Sequence, residues 1–175
     1  MNRIVKSVPK ISMIKVLSKE DMFVVESLAA GIWREHYTPM IGAAQVDYMI
    51  KKFQSREAIS HQIEKEGYRY YLIKNCDGDW VGYVGLILRD DEIFLSKLYV
   101  DSKERGRGYG RGAMEFIEKI ARESGLSRIT LTVNKGNKNS IGAYKKFGFV
   151  VAEDIVTDIG EGFVMDDYRM EKVVS

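Results

Sequence analysis

With 175 residues, 45% of them hydrophobic and 30% charged, the chain has the length and composition of one ordinary globular domain, and residues 1–175 are read as a single domain. A formal net charge of +2 excludes the strongly basic surface of a general nucleic-acid binder, and no apolar run approaches the roughly 20 residues of a membrane span. The single cysteine, Cys76, excludes an intrachain disulfide; it sits in the turn "NCDGD", reads as a bystander, and fits a reducing, cytoplasmic setting.

The start, "MNRIVKSVPK", carries basic residues with no apolar stretch behind them, so it does not read as a secretory signal. Residues 1–10 read as an arm ahead of a first strand, "ISMIKVL". Ser18 precedes Asp21 by three, a variant capping box, and Val25, Leu28, Ala29, Ile32 and His36 follow at helical spacing. "YTPMIG" is expected to break that helix, and "AAQVDYMIKKF" and "SREAISHQIEKEG" to supply one or two more. His36 and His61 are not at zinc-ligand spacing, and no metal site is expected. "YRYYLIK", "WVGYVGLILR" and "EIFLSKLYV" read as a three-stranded antiparallel meander. The stretch "RGRGYGRG" then opens a helix whose buried stripe is Ala113, Met114, Ile117, Ile120 and Ala121, with Gly125 where a C-terminal cap belongs. "RITLTV" is a strand, "NSIGAYKKF" a short helix, and the chain closes as a hairpin, "FVVAEDIVTD" and "FVMDDYRMEKVV". The sum is an α+β domain with one mixed sheet of about seven strands and flanking helices.

Glycine weakens a helix by about 1 kcal/mol per position against alanine, so alternate glycines at a helix doorway need a reason. A helix N-terminus exposes unpaired N–H groups and partial positive charge, the elements of an anion site. Glycine lets a phosphate approach the backbone, and Arg105, Arg107 and Arg111 add charge. A Walker loop is excluded because no Lys-Ser or Lys-Thr follows. The letters "GYGRGA" fit a dinucleotide fingerprint, but about seven residues separate Val100 from Gly108, and no acidic residue ends the next strand. A flexible basic turn without a ligand stays open on the loop alone. Further on, Asn137, Ser140 and Tyr144 fall at i, i+3 and i+7 on one helix face.

Together these stretches resemble the GNAT acetyltransferase superfamily. Its pyrophosphate motif, [Q/R]-x-x-G-x-[G/A], is matched by Arg105, Gly108 and Gly110. Its later motif, N-x-x-A-[IV]-x-x-Y-x-x-x-G-F, is matched by Asn137, Ile141, Tyr144, Gly148 and Phe149, with Ser140 where alanine is usual. The resemblance implies a GNAT acyl-CoA N-acyltransferase fold and acetyl-CoA as cosubstrate. The strands around the loop would splay, and the backbone of Leu98, Tyr99 and Val100 would meet the pantetheine arm. N–H groups over Arg105, Gly106, Arg107, Gly108, Tyr109, Gly110 and Arg111 would hold the pyrophosphate, with Asn137, Ser140 and Tyr144 beside it. Lys103, Lys135 or Lys138 could meet the 3′-phosphate. Tyr144 would protonate the leaving thiolate. The glutamate some members use as base has no counterpart: the strand offers Phe94, Leu95, Ser96 and Lys97, and Glu92 lies further back. A water chain through Ser96 is the fallback.

By the same likeness the acceptor pocket takes Trp33, Glu35, His36 and Tyr37 from the first helix and Asp166 and Asp167 from the last strand. Aromatic and acidic groups together suit a cationic amine. The front half loosely resembles the polyamine acetyltransferase branch, so a small polyamine is the expected acceptor. A protein N-terminus, an amino acid or an antibiotic amine is the alternative, and an acyl-CoA sensor without chemistry is the rival of another class. No nucleic-acid or membrane partner is expected, and a homodimer is left open by the family's habits.

Overall fold

The computed structural model describes residues 9–175; the arm read over residues 1–10 therefore lies, apart from Pro9 and Lys10, outside the described residues. The elements run β1 (Ser12–Lys15), α1 (Lys19–Ile41), α2 (Ala43–Phe53), α3 (Arg56–Lys65), β2 (Tyr68–Lys74), β3 (Trp80–Leu88), β4 (Glu92–Val100), a 3₁₀ turn (Ser102–Glu104), α4 (Tyr109–Glu123), β5 (Arg128–Asn134), α5 (Lys138–Lys146), β6 (Val150–Gly160) and β7 (Phe163–Val173). The strands form one seven-stranded sheet in the order β1-β2-β3-β4-β5-β7-β6. Only β4 and β5 run parallel, so the sheet is mixed, as the sequence led us to expect.

Strand alternation gives each sheet face its own core. Tyr71, Ile73, Leu86, Ile129 and Leu131 meet the buried stripe of α4. Tyr70, Leu72 and Tyr83 face the other way, against Val25, Ala29 and Ile32 of α1 and the two helices after it. A chain of buried polar groups stitches that second core. The Trp33 indole donates to the Tyr83 hydroxyl (2.9 Å), Tyr83 to Gln54 (2.7 Å), and Tyr70 to Gln62 (2.6 Å).

Ser18 and Asp21 form the expected reciprocal cap of α1. That helix does not stop at "YTPMIG", however; it runs through Pro39 to Ile41. Proline in the last turn forfeits one intrahelical bond, and the Gly42 N–H still closes onto the Thr38 carbonyl (3.0 Å), so the turn survives. The second helical stretch resolves into two helices, with Ser55 capping α3 through its hydroxyl. At the end of α4, Gly125 adopts φ +68° and lets the Leu126 N–H reach back to the Ala121 carbonyl.

Strand β4 is irregular on both sides. Its parallel pairing with β5 covers only Glu92–Leu95 against Arg128–Leu131, after which the strands part. At the paired end, buried Glu92 is gripped by Arg89, Arg128 and Arg169, which ties β4, β5 and β7 together. On the β3 side the register shifts so that Gly85 faces Lys97 and Leu86 faces Leu95, leaving Ser96 as a bulge.

Candidate active site

The parting of β4 from β5 leaves the Ser96–Val100 edge of β4 without a strand partner on that side among the described residues. Directly after β4, Arg105 Nε donates to the Val100 carbonyl (3.1 Å), so that carbonyl is already engaged. Gly106 and Gly108 take φ of +78° and +89°, the left-handed region glycine enters without cost, and Gly108 is the N-cap of α4. The Gly112 N–H is the first to bond back within α4, to Gly108, so among the described residues the N–H groups of Tyr109, Gly110 and Arg111 head the helix without a partner. Among the described residues, a Cβ at Gly110 would meet nothing within 4 Å. Arg107 pairs with Glu104 (3.3 Å).

A cleft of about 780 Å³ runs from this gap across the helix-α1 side of the sheet. Asn137, Ser140 and Tyr144 line one end, as their helical spacing led us to expect. Asn137 is buried and caps α5 by accepting from the Ser140 N–H (3.2 Å). Burial raises the Tyr144 phenol pKa, with Tyr37 adding to the shift, so the hydroxyl stays protonated at neutral pH. At the centre the Tyr37 and Tyr99 hydroxyls share a hydrogen bond of 2.9 Å. Burial pushes the Tyr37 pKa up to about 12. The far end is walled by α2 and α3 through Met49, Lys52, Phe53, His61 and Gln62, and floored by Ser96, Lys97 and the β6–β7 hairpin. There α2 is tied to the hairpin: Gln45 donates to the Val164 carbonyl (2.8 Å), Tyr48 to the Ile159 carbonyl (2.7 Å), and Lys52 also reaches Ile159.

Two buried titratable groups line the cleft, Asp167 on the Tyr37 side opposite Asn134 and Lys97 under the far end. Asp167 is 5% exposed, and among the described residues its Oδ1 has no hydrogen-bond partner. Burial, assisted by the neighbouring Asp166 charge, raises its pKa to about 6. Lys97 is 6% exposed, and burial lowers its pKa to about 7.

The structure redistributes several expected site residues. Trp33 and Tyr37 line the cleft one helical turn apart, with Trp33 held in the core by Tyr83. Glu35 does not join them: it points to a separate groove with Phe23, Trp80 and Lys103 and accepts from Ser102 (2.9 Å). Two positions along a helix rotate a side chain by about 200°, which carries Glu35 off the Trp33 face. His36 does not line the cleft; it packs edge-on against Tyr37 (4.8 Å between ring centres) near Arg105, and its pKa is lowered by burial and then by Arg105. Asp166 is turned outward and paired with Lys135 (2.7 Å), because neighbours on a strand take opposite faces. The same pair, with Asp154, occupies Lys135 and removes it from the 3′-phosphate candidates. The Tyr109 ring is 7% exposed within the core, so only its backbone N–H serves the loop. Lys97 and the α2–α3 wall were not singled out by motif. The one signal was a lysine inside an otherwise apolar strand, "FLSKLYV".

Among the described residues no three metal-binding side chains cluster, and no helix is long and apolar enough to cross a membrane. The family model described as acetyltransferase (GNAT) family matches residues 31–149. A Bacillus subtilis protein described as a [ribosomal protein bS18]-alanine N-acetyltransferase is 26% identical over 110 residues, covering 61% of this chain and 73% of that one. The spermidine N(1)-acetyltransferase of Thermoplasma acidophilum is 24% identical over 156 residues, 87% of this chain and 94% of that one. In fold, the chain is similar to PaiA N-acetyltransferase from Thermoplasma acidophilum in complex with coenzyme A, with a TM-score of 0.78 at 22% identity over 94% of this chain and 99% of that one. A glycine-headed helix beside two parting strands, a tyrosine across the gap and a family match over more than half the chain lead to one conclusion: the chain belongs to the GNAT acetyltransferase family.

Proposed function

We propose that the chain, as one acetyltransferase domain, transfers the acetyl group of acetyl-CoA to a primary amine, and that the amine belongs to a small polyamine. For the donor, the support is the unpaired N–H cluster heading α4, which suits a pyrophosphate, and the unpartnered edge of β4, which suits the amides of a pantetheine arm. Arg105 and Arg111 add charge there, and Asn137 and Ser140 border the same gap. For the acceptor, the carrying observation is Asp167. A buried carboxylate with a free oxygen, facing a cleft, is costly unless a donor arrives to satisfy it, and an ammonium is such a donor. Trp33, Tyr37 and Tyr99 supply aromatic surface beside it.

The chemistry is direct attack within a ternary complex. The neutral amine nitrogen forms the C–N bond, and a backbone N–H of β4 stabilises the oxyanion. The C–S bond then breaks, and Tyr144 gives its proton to the thiolate. The Ser96 hydroxyl, set forward by the bulge, relays the proton the acceptor must lose first.

Acetylation of a protein N-terminus is the second reading, favoured by the likeness to the bS18-alanine enzyme. Against it stand the bonds from Gln45, Tyr48 and Lys52 to the hairpin, which wall one side of the acceptor end and suit a short acceptor better than a through-running peptide. The test is a steady-state comparison of spermidine, a monoamine and a short peptide with acetyl-CoA. Spermidine is expected to have the highest kcat/KM; a large peptide preference would replace it with a protein acceptor.

A further inference from the structure

An amine acceptor reaches the cleft as an ammonium and must shed a proton before its lone pair can attack. The family position at which a glutamate would serve is empty of carboxylates: β4 carries Phe94, Leu95, Ser96 and Lys97 there. The bulge changes what these residues do. Because Ser96 is the extra residue, Lys97 returns to the same sheet face as Tyr99 and Tyr83, under the acceptor end of the cleft. Its side chain is packed against Gly85, where a Cβ would stand 3.2 Å from the lysine Cδ. Its Nζ lies 3.0 Å from the Ser96 hydroxyl, which also sits 3.4 Å from the Tyr68 hydroxyl. The Tyr68 and Tyr70 rings face the same Nζ at 4.6 and 5.5 Å. No carboxylate forms an ion pair with it among the described residues; Glu66, held by His61 at 2.9 Å, acts only from a distance.

We propose that Lys97 is the proton acceptor of the acetyl transfer, taking the proton of the incoming ammonium through the Ser96 hydroxyl. The inference rests on the amine-acetylating reading of the cleft. A buried amine without a counter-charge spends much of its time neutral at physiological pH, because burial penalises the charged form. Neutral Lys97 presents a lone pair to the Ser96 O–H; charged Lys97 donates to the same oxygen. One side chain can thus accept the proton and later release it to water. The state that accepts protons is also the state that does not repel a cationic acceptor. The balance closes. One proton leaves the ammonium for Lys97 and then solvent. The neutral nitrogen forms the C–N bond, the C–S bond breaks, and the nitrogen's second proton replaces the one Tyr144 gives to the thiolate. The sum is one amide, one thiol and one released proton.

The groups facing Lys97 or sharing its cleft are Ser96 and Tyr99 on β4, Tyr68 and Tyr70 on β2, Glu66 before β2, His61 on α3, Lys52 on α2, Tyr37 on α1, Tyr144 on α5 and Asp167 on β7. The test is the pH profile of kcat/KM for spermidine in wild type, Lys97→Met, Lys97→Arg, Asp167→Asn and His61→Gln. Wild type should rise with unit slope to a plateau near neutrality. Both Lys97 variants should lose about 10²- to 10⁴-fold in rate and lose that limb, while Asp167→Asn and His61→Gln keep it. A Lys97→Arg enzyme with wild-type rate and profile would overturn the proposal, since arginine retains charge and cannot accept the proton. Should Lys97→Met fail to fold, the wild-type limb measured at two temperatures decides. An amine's pKa falls clearly on warming, and a limb that stays fixed, as a carboxylate's does, overturns the proposal. Wild-type turnover with an unchanged Lys97→Met profile refutes Lys97 alone; no turnover of any amine by wild type refutes the acceptor reading with it.

Discussion

Asp167→Asn should make the protein more stable while making it a worse enzyme. Burial raises the Asp167 pKa from 3.8 to about 6 in the folded state. A carboxyl whose folded pKa is raised binds its proton more tightly when folded, so its contribution favours folding at low pH and is lost as pH rises through about 6. At pH 7 the ionised group therefore opposes folding. The full shift corresponds to about 3 kcal/mol at 1.36 kcal/mol per unit, and water in the open cleft reduces this to roughly 1–3 kcal/mol. Asparagine keeps the shape and removes the charge, so the variant should gain that amount, or roughly 3–8 °C in melting temperature for a chain of this size. The gain should shrink to about half at pH 5, where the folded wild type is largely protonated. Thermal melts of both proteins at pH 5 and pH 7.5 measure it. A variant less stable than wild type at pH 7.5, or a difference independent of pH, would refute this prediction. It would mean that the carboxylate is already satisfied and not held in reserve for an ammonium.

Tyr144→Phe removes one hydroxyl from a ring packed edge-on against Phe149 at 5.6 Å, so the fold should survive; kcat should fall about 10²-fold or more with little change in the KM for acetyl-CoA, by steady-state kinetics. Gly110→Val should weaken acetyl-CoA binding in calorimetry without unfolding, because the added side chain has room but stands before the helix N–H groups. Gly108→Val is the poorer probe, since φ is +89° and a Cβ would lie 2.8 Å from Pro9. Glu92→Gln leaves Arg89, Arg128 and Arg169 without their shared carboxylate; with the arginines partly solvated, denaturant unfolding should register a loss of about 2–3 kcal/mol.

The end of the cleft next to the glycine loop was legible because its features are local. Left-handed glycines, a helix N-terminus and a polar helical face each have a short-range signature, and Gly106, Gly108, Asn137, Ser140 and Tyr144 lie where their spacing pointed. The rest of the cleft is assembled from separate elements, and there the facing of each side chain decides what lines it. Helical periodicity by itself parts Glu35 from Trp33 and Tyr37. Strand alternation allows only one of Asp166 and Asp167 to face inward, but which one depends on the β5–β7 register, where Asp167 lies opposite Asn134. Lys97 was harder. Its facing is set by a bulge at Ser96 that leaves no composition signal, and its lack of an ion-pair partner among the described residues becomes visible only when β2 and β3 are brought around it. The wall from α2 and α3 had no motif either, since Lys52, His61 and Gln62 converge through packing alone.

The most direct test of amine acetylation from acetyl-CoA is to incubate the protein with acetyl-labelled acetyl-CoA and spermidine and to quantify free thiol and acetylated product by mass spectrometry. Acetylspermidine and coenzyme A should form in equal amounts, only with both substrates present, and both should be suppressed in Tyr144→Phe. Tight binding of acetyl-CoA with no acetylated amine from spermidine, monoamine or peptide would contradict the enzyme reading and leave a sensor in its place.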